Sequence, residues 1–482
     1  MRKLTVIFSS LFSLAWVQAP AGDAVNTARP VPATRPEMKR LLEGVKQRSI
    51  RIPLPKLTEA EKQQLGERSN SYESRLRYHY LPPNEVSVFG SGSRGRRSES
   101  QGGQPPERRR RDFGRNADEN MTLSYEFKTM LFWIVSRTNN CQYCLGHQEQ
   151  KLSAAGLSEE RIAALDSDWD RHTAAEQAAF SYARKLTYEP HRLSAADLKM
   201  MKEHFTEFQI LEMTMSVAGN NAINRWKEGA GIPQSASNHF VRRTQENVAG
   251  DQLQGHDTFL TPTPEKYRNV ISLVVPLELD AATGRPTGRA VSNRPPLESR
   301  AEVERALAKA RTRRARLPLL EEEAARKALG ERAPEGPLPN WIRLMANFPN
   351  ESRRRIESIA AIDGTRGDLS PLLKAQVSWI IARQDRAWYA AGIVKKKLQS
   401  LGQSDEQIYA LDGAWEEFSP AERALFQFAR HLAAAPIALT DEDVASALKL
   451  TGPRQVVQLV NFVTSRAYFD RVTEAAGLPL DD

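Results

Sequence analysis

Two cysteines in 482 residues, Cys141 and Cys144, exclude a scaffold held together by many disulfides. They also make a structural zinc centre hard to build. "CQYCLGH" supplies three ligands at most, and a fourth has to come from far along the chain. A c-type haem is disfavoured because no histidine directly follows Cys144. No internal stretch approaches the roughly 20 apolar residues of a membrane span. The one strongly basic stretch, "RGRRSESQGGQPPERRRRDFGR" from Arg94 to Arg115, has a single aromatic residue, Phe113, and no interleaved series for base stacking, so no nucleic-acid partner is expected.

Against these absences, the hydrophobic content of 40% suffices for sizeable cores, and the length suggests two or three domains. The N-terminus reads as a signal peptide over residues 1–21. Arg2 and Lys3 precede the apolar run "LTVIFSSLFSLAWV", and "APAG" offers a cleavage site after Ala21. An uncleaved membrane anchor is the alternative. Either way the bulk of the chain is expected outside the cytoplasm, in a periplasm or cell envelope, where a close cysteine pair spends part of its life oxidised. Net charge is +9, and much of the excess lies in the Arg-rich stretch (about 91–118). Without apolar periodicity, that stretch reads as a solvated disordered loop, with docking on an anionic polymer or lipid headgroup as the alternative.

The most informative pattern is a repeat. "WIVSRTNNCQYCLGHQEQKLSAAGLSEERIAALD" from Trp133 aligns without gaps on "WIIARQDRAWYAAGIVKKKLQSLGQSDEQIYALD" from Trp379, an offset of 246 residues. The match continues through Trp169 on Trp415, Phe180 on Phe426, Arg225 on Arg471 and Gly231 on Gly477. Upstream, "RIPLPKLTEAEKQQLGERS" from Arg51 resembles "RLPLLEEEAARKALGERAP" from Arg316 at a different offset. A duplicated domain is expected, at 36–233 and 299–482, joined by a linker over 234–298 in which Val270–Leu279 suggests one short strand. Each copy reads as an all-α helical bundle. "FKTMLFWIVSR" is apolar almost all round, and Asn139 and Asn140 interrupt it. A second helix then runs from near Cys141 to about Ala155, with Gly156 closing it. Ser158, Thr173 and Ser194 are N-caps of the helices that follow.

The cysteines therefore sit where a helix begins. Free N–H groups and the helix dipole favour an anion there, so a thiol at this end should ionise readily. On the dipole alone, Cys141 is the better placed. Cys141, Cys144 and His147 share one face at spacings of three. A redox centre, a structural staple and part of a zinc site all fit the pattern. The staple gains little, because the loop it closes is tiny. The second copy carries Ala387, Ala390 and Ile393 at these three places while retaining Trp379, Tyr389, Gly392 and Gly402. A domain that stands without the pair weakens the staple reading further.

Taken together, "CxYC" with a nearby His, "AAGLSEERIAAL", "AAEQAAFSYARKLT" and "NNAINRWKEGAGIP" resemble the carboxymuconolactone decarboxylase and alkylhydroperoxidase D-like family. The resemblance covers most of residues 120–233 and 370–479. It implies an all-α, commonly homo-oligomeric protein in which Cys144 attacks a peroxide or disulfide substrate and Cys141 resolves the product. A histidine and a glutamate relay the proton, and no cofactor or metal is required. An exported dithiol would supply electrons. Two positions depart from the family pattern. Its histidine usually stands where Gln148 is, leaving His147 to substitute. Its relay glutamate usually stands at Thr129, leaving Glu126, one turn earlier, as the catalytic candidate and Glu149 as a weaker one. A lactone decarboxylase-like enzyme without redox chemistry and a non-catalytic binding or assembly protein are the competing readings.

Overall fold

The computed structural model describes residues 35–85, 117–167, 169–236, 277–279, 286–290 and 296–481. The expected signal peptide lies outside them, as do the Arg-rich stretch apart from Ala117 and Asp118, and most of the linker.

The described chain is all-α. Its first half contains α1 (Arg35–Gly44), α2 (Glu59–Leu65), α3 (Tyr72–Tyr80), α4 (Tyr125–Thr138), α5 (Gln142–Ala154), α6 (Glu159–Ser167), α7 (Ala174–Tyr188), α8 (Ala195–Lys202) and α9 (Glu207–Gly229). The second half contains α10 (Arg300–Thr312), α11 (Glu322–Leu329), α12 (Asn340–Met345), α13 (Pro349–Asp363), α14 (Pro371–Asp385), α15 (Trp388–Ser400), α16 (Asp405–Ala410), α17 (Pro420–Ala434) and α18 (Asp441–Ala476). A small antiparallel ribbon, β1 (Leu277–Leu279) with β2 (Pro286–Ala290), lies between them and takes up the end of the expected strand.

Local sequence sets the helix boundaries. Thr173 and Glu176 form a capping box at α7, and Ser194 and Asp197 form one at α8. Asn140 adopts φ 47° between α4 and α5, the left-handed turn that its short polar side chain tolerates. From α4 onward, α4, α5, α6, α7 and α8 begin 246 residues before α14, α15, α16, α17 and α18. The break before α9 has a counterpart too. Thr206, which caps α9, corresponds to Gly452, where α18 kinks with φ 81° ahead of Pro453.

α9 and α18 pack against each other at the centre. Arg225 on α9 donates to the carbonyl of Ala433 at 2.8 Å, and Arg471 on α18 donates to the carbonyl of Thr187 at 2.9 Å. Donors and acceptors are each 246 residues apart, so the contact is reciprocal, as across a two-fold axis, yet within one chain. Separate cores for the two halves are not what forms. A single hydrophobic cluster runs from Met38 to Leu480. Burying the apolar faces of α9 and α18 against each other merges the two.

Candidate active site

Cys141 is the N-cap of α5. Its sulfur accepts the Cys144 N–H at 3.3 Å, and its own N–H donates to the Ser136 carbonyl at 2.9 Å. A thiol thus takes the place of the usual capping oxygen. Both cysteines are free and buried. Burial pushes the Cys141 thiol well above the ordinary value, with the Cys144 hydrogen bond and the charge of Glu228 acting in the same direction. The readily ionised Cys141 expected from the helix dipole is therefore corrected. Loss of solvation around an enclosed sulfur outweighs the partial charge of one helix end.

A carboxylate completes this helix start. Glu228 on α9 is fully buried, with one oxygen 3.5 Å from the Tyr143 N–H. Arg48 pairs with it at 3.0 Å, and Arg51 donates to its backbone carbonyl at 3.0 Å. Gly231 lets Arg51 approach: at φ 64°, a Cβ there would lie 2.7 Å from the Arg51 side chain.

His147 follows one turn after Cys144. Its ring stacks on Tyr143, with centroids 6.4 Å apart and planes at 25°. Burial, followed by the charges of Lys151 and Lys227, holds the imidazole down to about 3, so it is neutral at physiological pH. Beside the pair lies a charged cluster. The Lys227 ammonium sits over the Tyr143 ring, 4.5 Å from its centre, and pairs with Glu73 on α3. Glu73 also accepts from Trp226 Nε1 at 2.7 Å and from Arg77 at 3.0 Å, and Arg77 stacks 4.1 Å over Trp226.

The other sequence candidates are placed elsewhere. Glu126 is exposed in the first turn of α4. Twelve residues of helix separate it from Thr138, about 18 Å of rise, so it stands at the end of α4 away from the cysteines. Lys151, two turns beyond Cys144 on α5, lies 5.5 Å over Tyr125 and marks that far end. Thr129 is buried and bonds back to the Tyr125 carbonyl at 2.7 Å. Glu149 is committed to a structural network, accepting from Trp133 Nε1 and from Lys39, both at 2.6 Å. Gln148 is buried. Cys141, Cys144 and His147 thus stand within the first two turns of α5, whereas Glu126 lies at the far end of α4 and Glu149 is bonded to Trp133 and Lys39. Among the described residues, no group of three or more His, Cys, Asp or Glu is arranged to hold a metal ion.

Sequence reasoning did not single out Glu73, Lys227 or Glu228. The last two lie inside "NNAINRWKEGAGIP", and the repeat carries a signal. Glu228 matches Glu474, which accepts the Trp388 N–H at 3.0 Å and pairs with Arg313 at 2.9 Å, while Arg316 donates to its carbonyl. Lys227 matches Thr473 instead. The glutamate belongs to the shared frame; the lysine belongs to the cysteine half.

No protein-family model matches this sequence, and no curated protein matches it.

Proposed function

We propose that the chain is an exported thiol–disulfide oxidoreductase of the peroxidase type, a diverged tandem form of the alkylhydroperoxidase D-like family. One observation carries this reading. Two free thiols three residues apart occupy the start of a buried helix in one half, and the other half keeps that helix start with alanines in their place.

In the proposed cycle, the Cys144 thiolate attacks a peroxide oxygen. The S–O bond forms as the O–O bond breaks, sulfur is oxidised to a sulfenic acid, and the departing alkoxide takes up a proton. The Cys141 sulfur then displaces the hydroxyl as water, closing a disulfide. A dithiol partner reduces it through a mixed disulfide, gaining the bond that the protein loses. Cys141, held protonated by burial, suits the resolving role better than the attacking one.

Peroxide consumption with dithiothreitol as donor tests the reading. Cys144→Ser is expected to lose at least 100-fold in rate, the size of effect that follows removal of a nucleophile. Cys141→Ser should consume about one equivalent and accumulate a sulfenic acid that dimedone traps. Wild-type consumption by Cys144→Ser would end the proposal.

A further inference from the structure

The two halves share the frame of the cysteine site and differ in its charge. Arg48, Arg51 and Glu228 have equivalents in Arg313, Arg316 and Glu474, with corresponding arginine bonds to the buried glutamate, while the helix-start N–H that faces it is that of Tyr143 in one half and of Trp388 in the other. α3 and α12 also correspond, because Arg75 and Arg343 on them donate to the carbonyls of Pro55 and Leu320 in the matching upstream segments. Counting from the two helix starts, Tyr72 and Asn340, places Trp341 at Glu73 and Met345 at Arg77. Thr473 stands at Lys227. In the second half, Trp341 packs edge-on against Phe469 at 5.6 Å, and the hydroxyl of Tyr389 donates to Asp481 at 2.5 Å. Glu73, Arg77 and Lys227 are absent wherever the thiols and His147 are absent. The fold evidently does not require them, and a buried ion pair is weak support for stability.

We infer that the Glu73–Lys227 pair is the charge device of the cysteine site: Lys227 favours the negative charge that forms on Cys144, and Glu73 tempers that effect by partly offsetting the charge of Lys227. The inference rests on the thiol reading above. Lys227 reaches the first turn of α5 through Tyr143, the residue before Cys144. Arg77 on α3 adds positive charge around it, Lys151 acts on His147 from further along α5, Glu228 on α9 is compensated by Arg48, and His147 is neutral. Both Lys227 and Glu73 are positioning residues.

The test is the pH titration of the Cys144 thiolate, read by ultraviolet absorbance in full-length Cys141→Ser protein. Lys227→Met removes a cation and should move the transition up by about one pH unit or more. Glu73→Gln removes an anion and should move it down. Lys227→Arg should restore most of the original position. Opposite shifts are the required result, since general loosening of the site moves both variants the same way. Shifts of the same sign, or none, overturn the inference. Lys227→Thr, the residue of the second half, replaces Lys227→Met if the latter does not fold. The titration needs no peroxide, so the charge device can fail while peroxidase turnover survives, and the reverse.

Discussion

His147 shows how burial recasts a residue. An imidazole beside a thiol suggests a proton acceptor, yet this ring is held down to about 3 by burial and by Lys151 and Lys227. The sign of its effect on stability follows. Between about 3 and 6.5 the unfolded chain binds a proton that the folded chain refuses, so stability rises with pH across that window and is complete above it. His147→Ile, the change the second half already carries as Ile393, should flatten this part of the curve. Urea unfolding at several pH values reads it, and an unchanged slope would place the acid sensitivity elsewhere. The spacing from Cys144 to His147 could be read from sequence. Its neutrality could not, because the responsible lysines come from the far turn of α5 and from α9, and desolvation leaves no mark on spacing. Glu73 was illegible for the same reason: it reaches the site from 68 residues before Cys141, with no periodic signal to single it out.

Helix starts and stops were the most legible elements, since each is written in adjacent residues. Thr173 with Glu176, Ser194 with Asp197, the Asn139–Asn140 break and Gly156 all act where local chemistry directs. α5 differs in borrowing its terminal anion from another helix. Glu228 serves this helix start as Glu474 serves that of α15, and each is tied to an arginine from its own N-terminal segment. Removing either carboxylate leaves a largely buried guanidinium unpaired. Glu228→Ala and Glu474→Ala should each cost about 3 kcal/mol in chemical unfolding, though only the first lies next to thiols. A large loss in one variant and none in the other would mean that the two frames are not equivalent.

At the scale of the molecule, the all-α class and the common 246-residue offset of five helix starts were legible, while the single core depended on tertiary packing that no local pattern records. Arg471 is central to it. Wholly buried, it pairs with Asp385 at 3.0 Å and bonds across to Thr187 in the other half. Arg471→Met removes the buried ion pair with Asp385 and severs the crossing bond, an expected cost of about 3–5 kcal/mol. A common hydrophobic core also predicts one calorimetric transition for the whole chain. Two resolved transitions would contradict it.

The reciprocal arginine contact has a consequence for mass action. Two identical subunits meeting through such a surface come apart on dilution, and each must keep its own working centre or be lost with it. Here the polypeptide itself fixes the partner's effective concentration, so the association cannot be titrated away. The pairing is as secure at nanomolar protein as at millimolar. Either half can then change its own interior without the contact between them being lost to dilution.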